Sequence, residues 1–194
     1  MSNVCNILCF TTNSELYEPF SIIRKFSESL ETNPKKIMKE SSINFYYKIN
    51  TRKISISFHQ IINFDNDNKY ICNLTDSYLI LIDLEDDNTY QNLERIIDIM
   101  MNYCDLEKTV FVLGLYSNAQ KIKNELNEES VKEFLEEKRL IYEYLESNIE
   151  SNNDLNKTID FIIVEGFKKV EKKFKDWENT AKNEDESNSN CNIF

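Results

Sequence analysis

The chain has 194 residues, a formal net charge of −11 at pH 7 and a hydrophobic content of 41%. This length allows one α/β domain whose core is large enough to fold without disulfides or structural metals. The negative charge argues against nucleic acid as a partner, because a nucleic-acid-binding protein must neutralise phosphates. The five cysteines form no C-x-x-C pair, and with no signal peptide or spanning apolar segment we expect a cytoplasmic protein.

The first half of the chain predicts a strand, a helix and a β-hairpin. An apolar run gives the strand, Pro19 suits the first turn of the helix, and alternating apolar residues give the hairpin. These elements are predicted at residues 4–10, 19–30, 43–49 and 53–58. The segments 31–42 and 59–74 read as irregular, and the second is expected to contain a partial helix.

The second half alternates strands and helices. Five consecutive apolar residues, 78–82, are typical of a strand buried on both faces of a parallel sheet. The later elements are a helix ending near Cys104, strands at 109–113 and 139–145, a helix opening at 127–130 and a long last helix that follows residues 152–154 and reaches residue 177. Together they predict an α/β fold with a six-stranded, mostly parallel sheet, one antiparallel hairpin and helices on both faces.

Residues 83–93, DLEDDNTYQNL, resemble the junction of the fourth strand and third helix in Ras-superfamily small GTPases, most of all the Rab branch. The pattern there is roughly D-V-T-D-x-x-S-F-x-N-L, and it aligns without a gap. The predicted element order is also that of a small GTPase, so the resemblance covers about residues 4–177. It implies a small-GTPase-like (P-loop NTPase-type) domain over residues 1–177, followed by a flexible hypervariable tail at 178–194.

The resemblance places the phosphate-binding P-loop between the first strand and the first helix, and this sequence lacks its chemistry. A P-loop needs glycines whose N–H groups point at the phosphates and a lysine that reaches them. Here the Gly-Lys-Ser triplet falls on Glu18, Pro19 and Phe20. The first glycine of the chain is Gly114 and the first lysine is Lys25. Glu18 would also place negative charge beside a polyphosphate.

The two other nucleotide motifs are equally degenerate. The D-x-x-G positions fall on Phe58 and Ile61, so both the Mg²⁺-organising Asp and the γ-phosphate-contacting Gly are missing. The N-K-x-D motif aligns with Leu115, Tyr116 and Asn118, and Asn118 cannot present two acceptors to guanine. We therefore expect no cofactor. GTP or GDP with Mg²⁺ would be a cofactor only if the degenerate site still binds nucleotide.

The remaining titratable residues do not form a catalytic constellation. The lone His59 is interpreted as a loop or strand-end histidine, and the nearby Gln60 as a solvated side chain. The acids in the turn after the central strand would suit a divalent ion, but a solvated turn with N-cap residues is the favoured interpretation. These acids are Asp83, Glu85, Asp86 and Asp87. No catalytic or metal-binding residue is predicted.

The last four residues, Cys191-Asn192-Ile193-Phe194, match a C-a-a-X box, and the terminal Phe favours geranylgeranylation of Cys191. The sequence therefore predicts a Rab-like pseudo-GTPase, held on the cytoplasmic leaflet by a prenyl group and acting in vesicle traffic or signalling. Protein partners are expected at the switch-equivalent segments 31–42 and 59–74. The alternatives are an atypical GTP-binding protein with slow hydrolysis and a soluble, non-lipidated adaptor.

Overall fold

A computed structural model describes residues 4–11, 19–30, 37–39, 42–60, 69–119, 122 and 128–189. The strands in this part of the chain are β1 (Val4–Thr11), β2 (Ile37–Lys39), β3 (Ser42–Ile49), β4 (Arg52–Gln60), β5 (Ser77–Asp83), β6 (Thr109–Tyr116) and β7 (Tyr142–Asn148). The helices are α1 (Pro19–Ser29), α2 (Lys69–Leu74), α3 (Thr89–Tyr103), α4 (Glu128–Glu137) and α5 (Asn152–Ser189).

The strands form one sheet in the order β2-β3-β4-β1-β5-β6-β7. Strands β4, β1, β5, β6 and β7 run parallel, whereas β3 pairs antiparallel with β4 and with β2. The predicted α/β fold with a mostly parallel sheet and the β3–β4 hairpin is confirmed. The short edge strand β2 corrects the predicted strand number from six to seven, because three residues are too few to show a period of two. This architecture is compatible with a GTPase-like fold and is not specific to it.

Helices cover both faces of the sheet. Successive side chains of a strand point to opposite faces, so Leu79 and Leu81 of β5 enter one apolar cluster while Ile80 and Ile82 enter the other. The first cluster lies beneath α1 and α5, and the second beneath α2, α3 and α4. Every residue of β5 is buried. The continuous apolar run in the sequence thus predicted the central strand correctly.

Helix α4 ends in a Schellman motif. Arg139 has the left-handed φ of 57°, and its N–H donates to the carbonyl of Glu136 at 2.9 Å. The N–H of Leu140 donates to the carbonyl of Leu135 at 3.2 Å, which completes the pattern. Strand β7 begins only at Tyr142, later than the predicted residue 139, because the cap occupies the residues before it.

The final helix is longer than predicted. Its apolar residues Ile159, Ile162 and Ile163 pack into the first cluster, and the helix continues to Ser189, past the predicted end at residue 177. Residues 178–189 of the predicted tail therefore have helical backbone, while Cys191 lies outside the described residues. None of the described helices has both the length and the apolar character needed to cross a membrane.

Candidate functional site

The carboxyl ends of the five parallel strands meet along one side of the sheet, which we call the carboxyl edge. The strands end there at Gln60, Thr11, Asp83, Tyr116 and Asn148. In open α/β sheets, ligands bind in the crevice outside this edge. The loops that leave it are therefore the candidate functional site.

The loop after β6 is held by a carboxylate from the turn after β5. One oxygen of Glu85, Oε1, accepts hydrogen bonds from the N–H and the hydroxyl of Ser117, at 2.6 and 2.7 Å, and from the N–H of Asn118 at 2.8 Å. Hydrogen bonds to an ionised carboxylate are among the stronger ones in proteins. Any anion that used these donors would have to displace Glu85.

The turn that carries Glu85 is itself shaped by its acids. Asp83 is only 1% exposed, and its Oδ1 accepts the N–H of Glu85 at 2.9 Å. Burial raises the pKa of Asp83. The hydroxyl of Thr89 donates to the carbonyl oxygen of Asp83. Asn88 occupies the N-cap position of α3 but makes no side-chain capping bond.

A second carboxylate acts in the same way at the end of β7. Asp154, in the first turn of α5, accepts the N–H of Asn148 at 2.9 Å and the hydroxyl of Ser147 at 3.4 Å through Oδ2. Sequence reasoning missed both this contact and the Glu85–Ser117 contact. No local sequence pattern signals either contact. An acid such as Asp154 in the first turn of a helix is favoured in any case by the helix dipole.

The nucleotide-motif positions that the structure describes within β4, β6 and the loop after β6 do not converge on one site. Phe58 is fully buried in β4 and stacks on Phe45, with ring centroids 6.0 Å apart. Leu115 is buried in the first cluster, Tyr116 is half-buried against the second, and Asn118 is exposed. Strands β1 and β5 lie between β4 and β6, so the strand of Phe58 is three positions away from the strand that Asn118 follows.

Of the other predicted positions, two begin α1 and two lie outside the described residues. Pro19 and Phe20 are the first two residues of α1. Glu18 and Ile61 lie outside the described residues, as does most of the predicted partner segments 31–42 and 59–74. His59 lies at the end of β4, which agrees with the strand-end alternative, and burial lowers its pKa and so favours the neutral imidazole.

A groove of about 420 Å³ lies between α3 and α4, close to the turn that carries Glu85. Tyr90 and Phe134 meet there with ring centroids 5.5 Å apart. Its lining residues are Asp87, Tyr90, Gln91, Ser130, Glu133, Phe134 and Glu137. Three of the seven are acidic and none is basic, so this groove disfavours a phosphate-bearing ligand.

In the described part of the chain, no group of three or more His, Cys, Asp or Glu side chains is placed so that it could hold a metal ion. Comparison with protein-family models gives no match, and no curated protein matches the chain. The fold and the contacts at the carboxyl edge are therefore the observations from which a function can be inferred.

Proposed function

We propose that this protein is a Rab-like pseudo-GTPase: a small-GTPase-type domain that does not hydrolyse GTP and acts as a membrane-tethered interaction module in vesicle traffic or signalling. Support for the scaffold comes from the junction sequence at residues 83–93 and from the order of strands and helices. The assignment to traffic or signalling follows from the resemblance to the Rab branch, since a fold alone does not determine a function.

The contact of Glu85 with the loop after β6 carries the proposal. This loop occupies the position at which the resemblance places guanine recognition, and its donors Ser117 and Asn118 are bound by a carboxylate of the chain itself. Opening this site would leave two backbone N–H groups and a hydroxyl to find new acceptors, which costs free energy. A nucleotide would also have to displace the negative charge of Glu85, and its phosphates would bring further negative charge to the same edge.

The sequence before α1 supports the same conclusion for the phosphate site. Residues 11–20 contain neither glycine nor lysine, so the backbone cradle and the cation of a P-loop are both missing. The acidic α3–α4 groove provides no alternative place for a polyphosphate. Catalysis of phosphoryl transfer depends on positioning and on positive charge, and the described carboxyl edge supplies mainly carboxylates.

The nucleotide content of the purified protein tests this proposal. Protein denatured after purification, and again after incubation with excess GTP and Mg²⁺, is assayed for released nucleotide by ion-exchange chromatography. A nucleotide-binding small GTPase, purified in parallel, is the positive control. We expect no guanine nucleotide; near-stoichiometric GDP or GTP would instead support the atypical GTP-binding alternative and contradict our interpretation of residues 11–20.

Membrane tethering is tested separately. Cys191 in the C-terminal C-a-a-X box is the proposed site of prenylation. One isoprenoid binds membranes reversibly, and Cys191→Ser removes its proposed attachment site. We therefore expect this variant to move from the membrane fraction to the supernatant. The buried Cys9 is unsuitable as a control, so Asn190→Ala, directly before the motif, serves as the matched variant. An unchanged membrane fraction in Cys191→Ser would favour the soluble adaptor.

A further inference from the structure

Two free thiols touch beneath the second helical layer. The Sγ atoms of Cys72 and Cys104 are 3.4 Å apart, and Cys104 donates its S–H to Cys72. Cys72 is in α2, and Cys104 directly follows α3. Cys72 is fully buried, whereas Cys104 is partly exposed. The two residues are 32 positions apart in sequence, so only the fold brings them together.

We propose that Cys72 and Cys104 form an oxidation site, at which a low-molecular-weight disulfide such as oxidised glutathione converts the two thiols into an intramolecular disulfide. A disulfide needs an S–S distance of about 2.0 Å. The sulfurs must therefore approach each other by about 1.4 Å from their observed separation. The proposal requires this approach to come from rotation of the two side chains about χ1.

The surroundings favour Cys104 as the attacking residue. It is the partly exposed member of the pair, so the oxidant reaches it first. The Tyr78 hydroxyl accepts the N–H of Asp105 at 3.1 Å and hydrogen-bonds to Cys104 in a way that lowers the pKa of its thiol. The charge of Lys108 acts in the same direction.

Burial and the contact with Cys72 outweigh these two effects, so the pKa of Cys104 lies above its ordinary value. Because the thiolate is the nucleophile, oxidation is slow at neutral pH and accelerates as the pH rises. The ammonium of Lys108 also donates to the carbonyl oxygens of Cys72 and Asn73, at 2.9 and 3.3 Å. It thereby holds the end of α2 beside Cys104.

The exchange proceeds in two balanced steps. The Cys104 thiol loses its proton to solvent, and its sulfur attacks one sulfur of the small disulfide, which releases one small thiolate and leaves a mixed disulfide. The Cys72 thiol then loses its proton and attacks the Cys104 sulfur, which releases the second small thiolate. Two protein thiols are oxidised, and one small disulfide is reduced to two thiols.

The other described cysteines do not offer such a pair. Cys5 and Cys9 both lie in β1 and are buried. Four residues of extended strand separate their Cα atoms by about 13 Å, which is too far for a disulfide. Burial raises the pKa of Cys5 and of Cys104 alike, so the distance between the thiols and their exposure, and not their pKa, separate the two pairs. The structure thus distinguishes one reactive pair from two inert thiols.

The test is oxidation of the full-length chain by glutathione disulfide, followed by alkylation of free thiols, non-reducing digestion and mass spectrometry. Wild type and Cys191→Ser are both used, because the second lacks the thiol outside the described residues. We expect one cross-linked peptide pair, containing Cys72 and Cys104, in both proteins. The oxidation rate should rise about tenfold per pH unit, since the reaction follows the thiolate fraction.

Single variants separate the two steps. Cys72→Ser should stop at the mixed disulfide on Cys104, and Cys104→Ser should leave Cys72 unmodified. Cross-links to Cys5 or Cys9, or a wild type that stops at the mixed disulfide, would overturn the proposal. Reaction only in urea would do the same. If a variant fails to fold, the peptide map and pH dependence of wild type still decide the question.

The disulfide would tie α2 to the end of α3. Helix α2 lies in the segment 59–74, so a consequence for partner binding rests on the proposed function. The oxidation of Cys72 and Cys104 does not depend on the proposed function, and its test can fail whatever the nucleotide assay shows.

Discussion

Replacing Glu85 by alanine tests whether this carboxylate holds the carboxyl edge together. Its Oε1 accepts three hydrogen bonds, from Ser117 N–H, Ser117 hydroxyl and Asn118 N–H. A hydrogen bond to a charged group contributes about 1.5–3 kcal/mol when both partners are desolvated. Glu85 is half-buried and Asn118 is exposed, so water replaces part of the loss. We expect Glu85→Ala to lower the free energy of unfolding by about 2 kcal/mol.

Urea denaturation at pH 7 measures this change as a shift of the midpoint at constant slope. Glu85→Gln should lose about 1 kcal/mol, because the amide oxygen still accepts hydrogen bonds but without the charge. Glu107 is an exposed acid, and Glu107→Ala, the matched control, should stay within about 0.5 kcal/mol of wild type. If Glu85→Ala is no more destabilised than this control, water replaces the carboxylate and the structural role assigned to Glu85 is wrong.

Three further substitutions give defined outcomes. Arg139→Gly should stabilise the protein by about 1 kcal/mol in urea titrations, because glycine adopts the left-handed φ of 57° without strain; destabilisation would show that the arginine side chain matters more than its backbone. Gly114→Ala should destabilise by about 1–3 kcal/mol, since the added Cβ would lie 2.9 Å from Cδ1 of buried Leu84; a neutral result would mean that Leu84 moves aside freely. Burial raises the pKa of Asp83 above 3.8, so wild type loses stability as pH rises through that raised value. Asp83→Asn lacks this loss but keeps an acceptor for the N–H of Glu85, and its stability relative to wild type should therefore increase between pH 3 and pH 7; a flat difference would contradict the shift.

Periodicity and composition were sufficient to predict the main elements of the sheet and helices. The apolar run at 78–82 predicted β5 because a strand covered on both faces needs no polar residues, and β5 is buried throughout. The alternation around Ile54 and Ile56 predicted one buried face, and both residues are fully buried. Burial determines the local pattern of apolar and polar residues. These predictions therefore needed no knowledge of which elements are in contact.

The contacts at the candidate site were not predictable in this way. Glu85 was recognised as one acid of a turn, but its partner Ser117 is 32 residues away. The Cys72–Cys104 contact spans the same distance in sequence. Element ends were also missed where tertiary or cap geometry decides them, as at Arg139, whose left-handed conformation delays the start of β7. A non-glycine residue in this conformation gives no clear sequence signal.

If the proposed function is correct, the two carboxylates at the carboxyl edge explain how the fold is stable without a bound nucleotide. Backbone N–H groups that are buried without an acceptor cost free energy. A binding site tolerates this cost because its ligand supplies the acceptors and stabilises the folded state by mass action. Here Glu85 and Asp154 supply acceptors at the ends of β6 and β7. The folded state should therefore gain nothing from GTP, and an unchanged melting temperature at millimolar GTP and Mg²⁺ is the result that this argument requires. Stabilisation by several degrees would mean that GTP displaces these carboxylates or binds elsewhere, and Glu85→Ala would then distinguish the two, because only the first route depends on the loop after β6.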